Sequence, residues 1–178
     1  MALTFKEWLF ETSTLPQLDA KTRQAFPTTS KRHNDVGSVV TLPKTNFVPN
    51  VPKQELTVDS RTRSARNGNT HVQRVILYGV NYAQPGTPNT TQLPGQEVAV
   101  ERIPLTKDNA RVFCDCMDFR FRFANYNHKD DSLAGNPPPP YQRVPGSNRP
   151  PANASGLPGM CKHLMKVVQT LKQHRIVV

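Results

Sequence analysis

Arg111-Val112-Phe113-Cys114-Asp115-Cys116 and Gly159-Met160-Cys161-Lys162-His163-Leu164 together hold all three cysteines of the chain and one of its five histidines. β-Branched and aromatic residues precede the first pair, which places it on a strand. Residues two apart on a strand face one side, so Cys114 and Cys116 point together while Asp115 points away. The second pair cannot converge from within a regular helix, where a two-residue step rotates the side chain by about 200°. Cys161 and His163 are therefore expected on the turn entering a helix, with Gly159 allowing the bend. Leu164, Val167, Val168 and Leu171 then recur at helical spacing, with Lys166, Gln169 and Gln173 on the other side. The N-terminus of that helix lies near the thiolates, where its amides favour negative charge.

Three thiolates and one imidazole are the donor set of a closed, structural Zn²⁺ site with no position open to substrate. Cys114, Cys116, Cys161 and His163 are the expected ligands. An Fe–S cluster draws on the same ligand types, and incidental buried cysteines are the plainest alternative. Phosphate-binding glycine loops, Gly-x-Ser-x-Gly elbows and His-Glu-x-x-His helices do not occur, so no enzyme and no small-molecule substrate is expected. His128, Asp130 and Asp131 near the first pair read as a solvated loop rather than a second metal group.

Working outward, the pattern predicts an α+β fold: a small antiparallel sheet with a C-terminal helix joined by the zinc site, plus a long irregular proline-rich N-terminal arm. Strands are expected at Glu55–Asp59, His71–Ala83, Glu97–Leu105 and Arg111–Ala124, with a loop from Gln84 to Gly95. In the last strand, Phe119-Arg120-Phe121-Arg122-Phe123 alternates strictly, which predicts three Phe facing the core and two Arg facing outward. Residues 125–159 carry four consecutive prolines at 137–140 and read as a loop. Within it, Tyr126, Tyr141, Arg143 and Arg149 could stack single-stranded bases, but they read better as rings pinning the loop to its own domain. Ile176-Val177-Val178 forms a short strand or frays.

Thr4-Phe5-Lys6-Glu7 fits a capping box opening a short amphipathic helix in which Phe5, Trp8 and Leu9 share a face. From Thr12 to Lys53 the chain is polar and broken by Pro16, Pro27, Pro43, Pro49 and Pro52, with one helical turn expected around Leu18–Phe26. The expected division is thus 1–53, helix and extended arm, and 54–178, the zinc-containing domain. Seventeen prolines and an apolar fraction of 36% in 178 residues suit one core with long connections.

Lys and Arg number 23 against 13 Asp and Glu, a formal charge of +10, which suits an anionic partner such as nucleic acid. Only Arg61, Arg63 and Arg66 cluster. Neither a membrane span nor an apolar signal core is present in the sequence, so a chain made in a cytoplasm is expected, where thiols stay reduced and serve as ligands rather than disulfides. Phe5, Trp8, Leu9, Arg61, Arg63 and Arg66 are the candidate partner-binding residues.

The pairs Cys114-x-Cys116 and Cys161-x-His163 resemble the SWIM zinc-binding motif over about residues 111–174, with a longer intervening stretch than most members have. That resemblance implies a strand pair leading into a helix and a module that binds nucleic acid or protein, with no single activity. A small basic chain with a proline-rich arm, a small sheet and a zinc knot also resembles accessory structural proteins of tailed-phage virions. Thr4-Phe5-Lys6-Glu7-Trp8-Leu9-Phe10-Glu11 is similar to the capsid-targeting helices of head proteins from contractile-tailed, cyanophage-like particles. The resemblance implies a virion component, located in the particle and partnered by other virion subunits.

Overall fold

The computed structural model describes residues 13–26, 45–63, 68–101, 110–139, 145–146 and 151–177. Four antiparallel strands form its main sheet: β1 Asn46–Asn50, β2 Glu55–Arg63, β3 Thr70–Tyr78 and β7 Ala110–Cys114, in the order β1-β2-β3-β7. Period-two alternation sets the inner face. Phe47, Val58, Val75 and Val112 stand opposite one another across all four strands and are fully buried. A second apolar row, Leu56, Leu77 and Ala110, runs beside it. On the other side the row turns polar: Ser60, Gln73 and Cys114 are buried neighbours in register.

A small second sheet has the order β4-β6-β5, from Tyr82–Ala83, Thr90–Gln92 and Ala99–Glu101. The continuous strand expected over His71–Ala83 is therefore two strands in different sheets. Gly79, at φ +71°, makes the break with a backbone angle that side chains resist. The Gln84–Gly95 loop contains the short strand β5. Of the strand expected over Glu97–Leu105, β6 is the described part, and residues 102–109 lie outside the described residues.

Around the main sheet lie α1 Leu15–Ala25, α2 Met117–Arg122, α3 Ala124–Lys129 and α4 Lys162–Gln173. Within the segment expected as an arm, the single helical turn expected around Leu18–Phe26 is a three-turn helix, and residues 27–44 lie outside the described residues. Its start is a capping box, with Gln17 N–H donating to Thr14 Oγ1 and Thr14 N–H to Gln17 Oε1. Pro16 sits in the first turn, where no amide partner is lost. Leu15, Leu18 and Thr22 are buried on one face. With β1 also built into the sheet, one core extends across the expected boundary between residues 53 and 54. The earlier helix around Thr4–Glu11 lies outside the described residues.

The main correction falls on Arg111–Ala124. The strand stops at Cys114 and the chain turns into α2, then α3. Alternating Phe and Arg satisfies a helix as well as a strand here, because Phe119 and Phe123 are four apart and share a face. Both are fully buried while Phe121 is half-buried. Arg122 lies 5.6 Å from the Phe26 ring centroid, and Phe26 meets Phe123 edge-on at 5.1 Å. Helix α3 likewise occupies the start of the loop expected at 125–159. Ser132–Ala134 then run alongside β7, with Val112 N–H donating to Ser132 O and Ala134 N–H to Val112 O. Ile176 and Val177 are buried rather than frayed.

Helical placement makes the three phenylalanines unequal. Phe123→Ala is expected to cost about 3–5 kcal/mol of unfolding free energy, the usual range for a fully buried ring. Phe121→Ala costs a small fraction of that. Urea unfolding of both variants distinguishes this from a strand, in which the two losses would match.

Candidate metal centre

Sequence-adjacent ligands reach one point here because every one sits at an element boundary. Cys114 is the last residue of β7 and Cys116 the N-cap of α2. Although Cys116 has left the strand, its backbone is still extended at φ −69° and ψ 148°, so the two sulfurs remain on one side. Asp115 is exposed, and its carboxylate lies 3.1 Å from Nδ1 of His71, whose own ring packs on His163. Cys161 is the N-cap of α4 and His163 lies in the helix's first turn, which is the arrangement their spacing required.

The donor atoms of Cys114, Cys116, Cys161 and His163 all lie within 4.8 Å of one another, and all four residues are buried. His163 presents Nδ1, at 3.8 Å from the Cys114 sulfur and 4.0 Å from that of Cys161. Zinc–sulfur distances of about 2.3 Å and zinc–nitrogen distances of about 2.0 Å set tetrahedral corners about 3.5–3.8 Å apart. The four side chains are therefore slightly wider than a closed tetrahedron and could hold a metal ion. They are the single such group among the described residues. Asp130 is engaged by Ser13 N–H, Ser13 Oγ and Lys21, and Asp131 by Arg111, so the acidic residues near α3 tie elements together.

The thiols are perturbed by burial and by one another. Hydrogen bonds from Cys114 and Cys161 hold the Cys116 thiol far below its ordinary range. Burial pushes the thiols of Cys114 and Cys161 well above theirs. Buried thiols resist ionising side by side, and a divalent ion among them would favour the thiolate forms. Phe119 N–H donates to the Cys116 sulfur at 3.3 Å and Gln73 Nε2 to that of Cys114 at 3.6 Å. On the imidazole, Nε2 is buried without a hydrogen-bond partner, and the ring instead packs against His71 with centroids 4.4 Å apart.

The approach to α4 is pinned by residues that no spacing rule announces. Asn127, fully buried, accepts from Gly159 N–H at 2.8 Å and donates to Gly159 O at 3.1 Å. Thr22 Oγ1 accepts from Met160 N–H at 2.8 Å. Gly159 serves close approach rather than an unusual bend: a Cβ there would meet Thr22 Oγ1 at 2.7 Å and the Phe123 ring at 2.9 Å. Helices α1, α2 and α3 thus converge on the residues just before Cys161.

Arg61 and Arg63 alternate with the buried Ser60 and Thr62 on β2, so they lie on the sheet face opposite the cysteines, and both are exposed. Arg63 donates to Gly68 O. Phe5, Trp8, Leu9 and Arg66 lie outside the described residues, as do Tyr141, Arg143 and Arg149. Tyr126 does pack on the later segment: its hydroxyl donates to Asn153 O, and a Cβ on Gly156 would lie 3.3 Å from its ring.

No protein-family model, no curated protein and no solved structure matches the chain. Among the described residues no helix is long and apolar enough to cross a membrane.

Two substitutions test the pinned approach. Asn127→Ala strands both polar groups of Gly159 at about 1–3 kcal/mol each. Gly159→Ala forces apart α1 and the Phe123 ring at a further cost of about 1–3 kcal/mol. Both are expected to lower the thermal midpoint and to speed metal loss to a chelator, read by melting curves and chelator absorbance.

Proposed function

We propose that this chain is a non-enzymatic structural protein closed by one zinc ion, and that it acts as an accessory subunit of a larger assembly, a tailed-phage particle. The observation that carries the first half is the donor set: three sulfurs and one imidazole nitrogen, all buried and convergent within the reach of one ion. Four such donors complete the coordination that structural zinc prefers and leave no place for substrate. A multi-iron cluster needs its ligands spread further apart than a single ion does, which favours zinc over Fe–S. Bound there, zinc supplies a cross-link between β7, α2 and α4, and structural zinc contributes about 10–16 kcal/mol in small finger domains.

The assembly half draws on the phage resemblance and on the amphipathic Phe5, Trp8 and Leu9 set. Its test is recovery of the chain in purified particles, head, neck, tail or baseplate, at a fixed ratio to other subunits. Alanine at Phe5, Trp8 and Leu9 together is expected to reduce incorporation without changing zinc content. Absence from the particle contradicts this reading.

A second reading, a SWIM-type accessory protein that binds nucleic acid, is favoured by one observation: exposed Arg61 and Arg63 share the outer face of β2 in a chain of formal charge +10. It predicts retention on DNA that falls steeply with salt and is weakened by glutamine at Arg61, Arg63 and Arg66.

For the zinc itself, the purified chain is expected to carry one equivalent. Chelation, or Cys116→Ala, is expected to free α4 and open the segment from residue 137 to 159 to protease. Unchanged proteolysis after verified metal loss refutes the structural role.

A further inference from the structure

Gln73 lies in β3 with none of its surface exposed. A buried primary amide is costly unless its polar atoms are matched. The sheet register sets Gln73 directly opposite Ser60 on one side and Cys114 on the other. Ser60 Oγ donates to Oε1 at 3.3 Å, and Nε2 donates to the Cys114 sulfur at 3.6 Å. This orientation suits a metal-bound Cys114: a thiolate only accepts hydrogen bonds, and the turned-over amide would set its carbonyl oxygen against it. The row therefore runs hydroxyl to amide to sulfur, and it ends on a ligand.

Three thiolates on a divalent ion leave one net negative charge in a buried site, which must be offset by nearby donors. Phe119 N–H serves Cys116, and Cys161 is itself the N-cap of α4. Gln73 serves Cys114 through a side chain, the one part of this arrangement that substitution can remove. The row before it, Val58, Val75 and Val112, is apolar, and the row beyond it sets Thr62 opposite His71, so the amide stands where the inner face turns from apolar to polar beside the cluster.

We propose that Gln73, braced by Ser60, is the positioning residue of the metal centre: it orients the Cys114 sulfur and offsets its charge, so that Cys114 stays a tightly held thiolate ligand. This rests on the reading of the four-residue cluster as a metal site.

The test uses the full chain loaded with cobalt(II), whose thiolate-to-metal charge-transfer absorption reports the donor strength of sulfur. Gln73→Met keeps the volume and removes the donor. Ser60→Ala frees the amide from its brace. Val75→Ala, in the adjacent apolar row, weakens packing without facing a ligand. Gln73→Met is expected to shift the charge-transfer band and to weaken cobalt and zinc retention against a competing chelator by about 10–100-fold. Ser60→Ala shifts both in the same direction by less, and Val75→Ala lowers the thermal midpoint with the band unmoved. A wild-type band and affinity in Gln73→Met overturn the proposal, as does an equal shift in Val75→Ala. Should Gln73→Met not fold, Ser60→Ala decides by the same band, and an unmoved band there overturns the proposal. Wild-type protein that takes up neither metal overturns the metal reading and this proposal with it, an outcome distinct from a wild type that binds and variants that do not differ.

Discussion

Three thiols and an imidazole buried within 4.8 Å of one another impose the constraint on which the other contacts depend. Such a group is unfavourable as a set of bare charges and becomes favourable around one divalent ion. To meet at a point, the sequence-close pairs must sit where the chain changes direction. Cys114 ends a strand, and Cys116 and Cys161 cap helices. Elements that supply no ligand, such as α1 and α3, are arranged to hold those boundaries.

The second pair shows this most directly. Cys161 and His163 are aimed by a segment whose backbone is gripped on two sides, by the Asn127 amide at Gly159 and the Thr22 hydroxyl at Met160. The Phe123 ring and the Thr22 side chain close so tightly on Gly159 that a methyl group has no room. Helix α1 and the α2–α3 segment thereby position the Cys/His cluster without supplying any of its four side chains. An ion bridging Cys116 and Cys161 would also close the long segment between them, removing conformational freedom from the unfolded chain.

How much of this could be read from the sequence depended on the range of the signal. The convergence of Cys114, Cys116, Cys161 and His163 was legible because their two-residue spacings, and the lack of any other cysteine, stand in the sequence itself. The amphipathic run Leu164–Leu171 gave α4 for the same reason. Phe119–Phe123 was misread as a strand because a five-residue alternation also places its end residues on one helical face, and tertiary packing against Phe26 decides between them. Leu15–Ala25 was hidden by Pro16, which is harmless in a first turn. Gln73, Asn127 and Thr22 were not legible at all. Their roles are set by partners 32 to 138 residues away, across sheet register and helix packing that no local pattern encodes.

The central claim is that the cluster holds a single ion in a complete, protein-only shell. X-ray absorption at the zinc edge of the purified chain measures that shell. The account predicts about three sulfurs at about 2.3 Å and one nitrogen at about 2.0 Å, with no further oxygen neighbour. A sulfur count below three, or a bound oxygen in the shell, would contradict it.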